Sequence, residues 1–279
     1  MNTSAPTSPG STKPRIALMG EFSAGKSTLA NLLLEQAHSP VQVTATHLPP
    51  VWYSYGAGPA HQVTIEGTRE PVRKPHWRDV SLSEAQLIEV QLEGDVLEAA
   101  DLIDLPGTCD PNLPTRYWET LVTQVDIVIW CTPAHQAWRQ SEAALWETMP
   151  EELKPRSLLL ITRMDKIRSE VDRARILRRT QHEAGHLFGQ VTAISLTDAL
   201  TTPTDETVLE ECGASHMVQF LISSLEKVGL TQREPFVPNC SVVETVPTIS
   251  VARSAPSPGQ VVPRRIGRRS LQAAGGRTI

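Results

Sequence analysis

The nine residues GEFSAGKST, at positions 20–28, have the types and spacing of a loop that binds phosphate groups. Their pattern is G-x-x-x-x-G-K-[ST], in which glycines allow consecutive backbone N–H groups to surround phosphate oxygens. In such a loop Lys26 reaches the outer phosphates, and the Ser27 hydroxyl binds Mg²⁺. The residues that we expect to contact the phosphates are Gly20, Ala24, Gly25, Lys26, Ser27 and Thr28.

The segments on either side of this loop agree with that interpretation. RIALM at 15–19 is a short apolar stretch that predicts a buried strand, and LANLLLEQA at 29–37 has the spacing of an amphipathic helix. A phosphate-binding loop joins a strand to a helix, and the helix N-terminus adds to the anion site. A chance glycine turn before a helix is the alternative, and the two matching flanks argue against it.

Three shorter motifs narrow the choice of nucleotide, because a phosphate-binding loop alone leaves ATPases, kinases and GTPases open. In DLPG, Asp104 follows an apolar strand and can hold a magnesium-bound water, while Gly107 can give its N–H to a γ-phosphate. In TRMD, Asp165 can accept two hydrogen bonds from guanine N1 and N2, which adenine cannot match. Backbone N–H groups of AIS, at 193–195, can bind guanine O6. The base site is expected to contain Thr162, Arg163, Asp165 and Ser195.

The elements that must position these motifs follow an alternating pattern. Residues 15 to about 230 alternate apolar strands with helical segments, which is typical of an α/β fold. We predict the three-layer sandwich of P-loop NTPases, a mostly parallel sheet with helices on both faces, and each motif at a strand carboxyl end. A Gly-Asp turn predicts a hairpin between 87–93 and 96–107, and Ser141 is predicted to cap a helix. A last helix is expected to stop at Gly229.

Composition limits the class of protein and divides the chain. Residues 1–14 are polar and lack the apolar core of a signal peptide, so we expect a disordered leader. Residues 231–279, rich in Pro and Arg, are expected to form a disordered tail. The net charge is −5, and because the tail contributes +5 the remainder carries −10. An acidic body argues against nucleic-acid binding. The four cysteines do not have the paired spacing of metal ligands. The sequence contains no run of 18 apolar residues, so it predicts no transmembrane helix.

In this order, GEFSAGKST, DLPG and TRMD resemble the GTPase domain of the dynamin family, particularly its bacterial members. The resemblance covers residues 15 to about 228, and it implies that the domain at 15–230 binds GTP and Mg²⁺ and releases GDP and phosphate. It also implies that Ser23 stands in for a missing catalytic glutamine, helping to orient the attacking water together with a monovalent cation. The residue after Gly107 is Thr108 and not Gln, in agreement with such a mechanism.

The family's first switch carries a Thr three residues before a Pro, and Thr46 with Pro49 matches that spacing. The resemblance implies that the Thr46 hydroxyl completes the Mg²⁺ shell and that its backbone contacts the attacking water. Thr44 is the alternative. The implied metal ligands are therefore Ser27, Thr46 and Asp104, and the implied catalytic residues are Ser23, Lys26, Thr46 and Gly107.

Two positions depart from the family pattern. Arg163 replaces the usual Lys of the guanine motif, and Arg168 occupies a position that is often acidic. Arginine can still stack on a base, so we expect guanine selectivity to be retained. An acidic residue at the position of Arg168 would contact ribose or a second protomer, and we do not expect Arg168 to make those contacts.

The composition of the tail, residues 231–279, affects which partners and which cellular location we expect. Family members that remodel membranes carry long helical stalks, which the tail cannot form, so we expect no membrane scission by this chain alone. We expect a nucleotide-dependent homodimer, or a protein partner that supplies a stalk, to raise a slow basal turnover. The arginines of RRIGRR at 264–269 predict weak contact with anionic membranes. The expected location is cytoplasmic, with peripheral binding at the inner membrane surface.

Two other functions fit parts of the sequence. A GTP-dependent binding switch that barely hydrolyses GTP, with a partner docked on the tail, is the alternative to an active GTPase. HEAGHLFG at 182–189 matches the H-E-x-x-H pattern of zinc peptidases. Thr192 occupies the position of the expected third ligand, so solvated histidines on an outer helix are the preferred interpretation.

Overall fold

The computed structural model describes residues 13–35, 48–108 and 121–229. Nine strands in these ranges form one sheet. They are β1 (Arg15–Gly20), β2 (Val51–Tyr55), β3 (His61–Thr64), β4 (Arg69–Pro71), β5 (Ala85–Leu92), β6 (Asp101–Asp104), β7 (Ile127–Pro133), β8 (Leu158–Thr162) and β9 (Gln190–Ala193). The order across the sheet is β4-β3-β5-β2-β6-β1-β7-β8-β9. The predicted leader up to residue 12, Thr46 and the predicted tail lie outside the described residues.

Seven α-helices lie in the described ranges. They are α1 (Lys26–Leu33), α2 (Asp95–Ala99), α3 (Gln140–Glu147), α4 (Glu170–Ala184), α5 (Leu196–Thr201), α6 (Glu206–Glu211) and α7 (Ala214–Val228). Single 3₁₀ turns occur between them, including Met164–Lys166 and Gly185–Leu187. No helix in these ranges is both long enough and apolar enough to cross a lipid bilayer.

The half of the sheet that carries β1 is parallel, and both of its faces are covered. β6, β1, β7, β8 and β9 run in one direction, and all six residues of β1 are buried. Because side chains alternate along a strand, Ile16 and Leu18 join the core beneath α1 and α7, whereas Ala17 and Met19 join the core beneath α3 and α4. The predicted three-layer α/β sandwich is confirmed.

The predicted hairpin around the Gly-Asp turn is wrong. β5 and β6 are not neighbours, because β2 lies between them, parallel to β5 and antiparallel to β6. The turn residues instead start α2, where Asp95 lies in the first helical turn and Leu97 is fully buried. An acidic residue favours a helix N-terminus, and the helix gives the chain the reach to pass over β2.

Helix ends match the sequence in some places and differ in others. Gly229 ends α7 in a positive-φ conformation, as predicted. Ser141 is not the N-cap of α3, because the cap is Arg139 and Ser141 lies inside the helix. α4 ends at Ala184, so His186 lies in the following 3₁₀ turn and not on the helix of His182. The single-helix spacing that the zinc interpretation needs is therefore interrupted.

Candidate nucleotide-binding site

The phosphate-binding loop lies between the end of β1 and the start of α1, and its glycines have conformations that other residues adopt only with strain. Gly20 has φ +132° and pairs with Cys131 of β7. A Cβ on Gly20 would lie 2.1 Å from the Cys131 carbonyl oxygen. Gly25 immediately precedes α1 with φ +93°. The backbone therefore requires glycine at both positions of the motif.

Gly20→Ala will destabilise the fold by about 3 kcal/mol or more, because it combines left-handed strain with a clash against backbone. The matched control is Gly67→Ala, since Gly67 also has positive φ (+81°) but has no atom within 4 Å of an added Cβ. That control should cost only about 1 kcal/mol of strain. Urea unfolding of both variants measures the difference. Equal losses in the free energy of unfolding would show that the close approach of Gly20 to Cys131 adds nothing to the cost of the substitution.

The Lys26 side chain contacts the backbone at the start of the phosphate-binding loop. Its buried ammonium donates to the carbonyl oxygens of Gly20 and Glu21, each at 2.9 Å. The Thr162 hydroxyl, at the end of β8, donates to the Ala24 carbonyl oxygen at 2.7 Å. These bonds fix the loop backbone from two sides, and they place the positive charge of Lys26 inside it.

The DLPG motif lies directly against the phosphate-binding loop. Asp104 is the last residue of β6, is buried, and pairs in register with Leu18 of β1. A Cβ on Gly107 would lie 2.9 Å from the Phe22 backbone nitrogen, so only glycine fits there without movement. The next residue, Thr108, donates its N–H to the Gly20 carbonyl oxygen at 3.2 Å. The two loops therefore form one surface.

The charges around this surface act on the buried Cys131 thiol. Burial raises its pKa to about 12; Lys26 opposes the rise, whereas Asp104 and Glu142 add to it. The thiol stays protonated at neutral pH, so Cys131 is not a nucleophile in this site. Its contribution is its backbone, which Gly20 approaches closely.

The TRMD motif makes the sharp turn after β8. Arg163 has a left-handed backbone (φ +60°), and the turn places Asp165 in a 3₁₀ segment with its side chain 15% exposed. Lys166 approaches the Asp165 carboxylate at 3.0 Å but is itself 73% exposed. The Met164 N–H donates to the Ile194 carbonyl oxygen at 3.3 Å. This bond joins the TRMD turn to the AIS segment.

Ser195 has a structural task at the start of α5. Its hydroxyl accepts a hydrogen bond from the Asp198 N–H at 3.3 Å, which caps the helix. Its own N–H donates to the Cys212 carbonyl oxygen at 2.9 Å. In this conformation the Ser195 N–H is not available to guanine O6. Its place in the base site stays a prediction.

The parallel strands bring the motifs to one edge of the sheet. The phosphate-binding loop follows β1, DLPG follows β6, TRMD follows β8 and AIS follows β9, and these strands all run in the same direction. Ser27 and Asp104 offer a hydroxyl and a carboxylate, the hard oxygen donors that Mg²⁺ prefers, so the donor set fits that ion. Thr46, the third predicted ligand, lies outside the described residues.

Sequence reasoning missed a contact that holds the phosphate-binding loop from outside. The Glu21 carboxylate is buried and forms an ion pair with Arg139, and it accepts a hydrogen bond from the Ser141 hydroxyl at 2.8 Å. An acidic residue inside a loop for anions was the available signal, because such a residue needs a cationic partner. The partner lies 118 positions further along the chain, so only the fold identifies it.

A phosphate-binding loop after β1, with DLPG and TRMD at the same edge of a mostly parallel sheet, defines a P-loop protein of the GTPase class. Comparison with known proteins then gives the family. A family model described as "Dynamin family" matches residues 16–164, and the chain belongs to that family. The family resemblance drawn from the sequence is confirmed.

Curated relatives match the chain over part of their length, and one of them is a dynamin-like protein. The isoniazid-induced protein IniC of Mycobacterium tuberculosis is 31% identical over 110 residues, which cover 35% of this chain and 22% of the relative. Dynamin-like protein 2 of Campylobacter jejuni is 24% identical over 217 residues, which cover 74% of this chain and 34% of the relative. The chain therefore spans about a fifth to a third of the length of these relatives.

The fold is also found in solved structures. A chain from an oligomerised bacterial dynamin pair, described as sensing and tethering membranes over long range, superposes with a TM-score of 0.62 at 16% identity. The match covers 76% of this chain and 38% of that one. At this identity the likeness establishes the shared fold.

Proposed function

We propose that this chain binds GTP together with Mg²⁺ and hydrolyses the nucleotide to GDP and phosphate. The observation that carries the proposal is the position of the motifs for phosphate, metal and guanine along one edge of the sheet. A nucleotide that lies along this edge has its phosphates at the β1 loop and its base beside the TRMD turn. The dynamin-family assignment supports the same activity.

Each residue has a role that follows from its chemistry. Lys26 offsets phosphate charge, and the Gly107 N–H donates to the γ-phosphate. Ser27, Thr46 and Asp104 would hold Mg²⁺, which supplies charge neutralisation at the β- and γ-phosphates when it is bound. Hydrolysis then requires a water in line with the γ-phosphate, so the protein contributes by positioning that water and by stabilising the developing charge.

The base site depends on a carboxylate. Asp165 accepts hydrogen bonds from guanine N1 and N2, and adenine leaves the carboxylate without those donors. Arg163 has a left-handed backbone, and its planar head can stack on the base in place of the family's usual lysine. Thr162 contributes through the hydrogen bond that ties β8 to the phosphate-binding loop.

Ser23 is the proposed residue that orients the attacking water, with a monovalent cation as its co-factor. It is exposed at the top of the loop with φ +59°. Ser23→Ala should keep nucleotide binding but slow hydrolysis by about 100-fold, because a misplaced water loses the in-line geometry. Ser23→Gly is the matched control for backbone strain, since glycine also lacks the hydroxyl but tolerates positive φ. Single-turnover rates measure both variants, and unchanged rates would exclude the role.

The activity itself is tested on the full chain. Isothermal titration calorimetry with GTP, GDP and ATP should show binding of both guanine nucleotides and none of ATP. Single-turnover hydrolysis of bound GTP on the same sample then separates an active GTPase from a GTP-dependent switch whose partner docks on residues 231–279. A nucleotide left intact for many hours would favour the switch. Binding of ATP alone would exclude both.

Assembly is the remaining part of the proposal. Nucleotide-dependent dimerisation, or a partner that supplies a stalk, raises a slow basal turnover. The likeness to an oligomerised bacterial dynamin pair supports assembly, and the arginines at 264–269 support weak contact with anionic membranes at the cytoplasmic surface. Measuring turnover per molecule against protein concentration tests self-stimulation, since a rate per molecule that never rises would exclude it.

A further inference from the structure

The phosphate-binding loop contains a buried negative charge, although its task is to hold anions. Glu21 is the second residue of the loop, and it is only 6% exposed. Its carbonyl oxygen accepts a hydrogen bond from Lys26, the residue proposed to contact the outer phosphates. A carboxylate at this position repels a nucleotide triphosphate unless another group neutralises it.

Arg139, the N-cap of α3, supplies the neutralising charge, and Ser141 in the first turn of α3 adds a hydrogen bond. Arg139 forms an ion pair with the Glu21 carboxylate, and the Ser141 hydroxyl donates to the same group at 2.8 Å. The Arg139 side chain is 39% exposed, whereas the Glu21 side chain is 7% exposed. The pair therefore reaches from the surface of α3 to the inside of the loop.

The backbone of Arg139 is fixed by a buried network at the end of β7. Its N–H donates to the Glu142 carboxylate at 2.8 Å. Glu142 is 1% exposed and also accepts hydrogen bonds from the Trp130 indole and the Thr132 hydroxyl, each at 3.0 Å. These hydrogen bonds fix the Arg139 backbone at the start of α3, and the ion pair with Glu21 then holds the guanidinium beside the phosphate-binding loop.

We infer that Arg139 is a positioning residue for nucleotide binding, which keeps the Glu21 carboxylate neutralised and turned toward α3 and away from the bound phosphates. The inference rests on the proposed function and adds a group that the phosphate-loop pattern does not include. Glu21 is thus held at both ends, its carbonyl by Lys26 and its carboxylate by Arg139. Loss of Arg139 leaves a buried, uncompensated negative charge beside the nucleotide.

Arg139→Met tests this role in the full chain. We expect the Kd for GTP to rise by about tenfold or more, and the Kd for GDP to rise less, since repulsion grows with the charge of the nucleotide. Adding Glu21→Gln to the same chain should restore GTP binding to within about threefold of wild type, because the repelling charge is gone. Titration calorimetry with GTP and GDP measures all three proteins. A merely structural role for Arg139 predicts no rescue and no difference between the two nucleotides.

Two further variants make the test decisive. Arg175→Met removes an exposed cation from α4, where Arg175 approaches Asp172, and it should leave binding unchanged. Arg139→Lys keeps the charge and should bind GTP nearly as well as wild type. If Arg139→Met alone does not show a cooperative thermal transition, the test is the Kd for GTP of the double variant with Glu21→Gln, which has no unpaired charge. A value within about threefold of wild type supports the inference, and a higher value overturns it.

The outcomes separate the inference from the proposed function. If wild type binds GTP and Arg139→Met binds it equally well, the inference is overturned and the proposed function stands. Failure of Glu21→Gln to rescue also overturns the inference. If folded wild type binds neither GTP nor GDP, the proposed function fails, and the positioning role fails with it.

Discussion

Lys26→Ala will raise the Kd for GTP by at least about 100-fold, because it removes both a charge-assisted hydrogen bond to the outer phosphates, worth roughly 1.5–3 kcal/mol, and the buried positive charge that offsets the phosphate charge. The loss should be larger than for any other single substitution in the phosphate-binding loop. Lys26 is buried between the carbonyl oxygens of Gly20 and Glu21, so no neighbouring side chain takes its place. Titration calorimetry with GTP and GDP measures the effect.

The control for Lys26→Ala is Lys227→Ala, which removes an exposed lysine near the end of α7. Thermal unfolding of both variants shows whether the loop stays folded, since the Gly20 carbonyl oxygen keeps a second donor in the Thr108 N–H. A folded Lys26→Ala protein that binds GTP like wild type would refute the phosphate-site assignment. Loss of binding in the Lys227 control would point to a nonspecific charge effect.

Asp165→Asn will change which base the protein prefers. An amide at this position can no longer accept both hydrogen bonds from guanine, but it can donate to the carbonyl oxygen at C2 of xanthine. A site built for specific hydrogen bonds rejects a mismatched partner strongly, so the ratio of GTP to XTP affinity should fall by about 10³-fold or more. Competition between GTP and XTP for the purified variant measures this ratio.

The surroundings of Asp165 indicate that Asp165→Asn will change base recognition with little effect on stability. The carboxylate is 15% exposed, and its neighbour Lys166 is 73% exposed, so the ion pair between them contributes little to stability. Asp172→Asn, on the half-exposed surface of α4, removes the same charge away from the TRMD turn and should retain GTP selectivity. Retained GTP selectivity in Asp165→Asn would show that another group recognises the base.

Sequence patterns predicted the parallel part of the fold well, because it depends on local features. The buried strand before Gly20 and the stop at Gly229 appear where the residues indicate, and the amphipathic helix after the loop is present but spans Lys26–Leu33 and not 29–37. The patterns failed at the antiparallel side, where a Gly-Asp turn predicted a hairpin and the chain instead formed α2. Turn residues indicate a change of direction, but they do not determine which strand becomes the neighbour.

The N-cap of α3 shows that a local pattern can also fail at the candidate site. Ser141 has the side chain of a good N-cap, yet Arg139 occupies that position and Ser141 bonds to Glu21. The competing contact arises because β1 and β7 are adjacent, which places the start of α3 beside the phosphate-binding loop. No local pattern contains that information.

The order and spacing of a few short motifs determined the family, the phosphate-binding loop and the residue expected to select guanine, because these depend on backbone chemistry within a few positions. Only the tertiary structure decided which strands are neighbours, how Gly107 packs on the loop and which cation balances Glu21. Those contacts join residues that are far apart in the chain, and the free energy that selects them comes from burial and from charge pairing in the folded state.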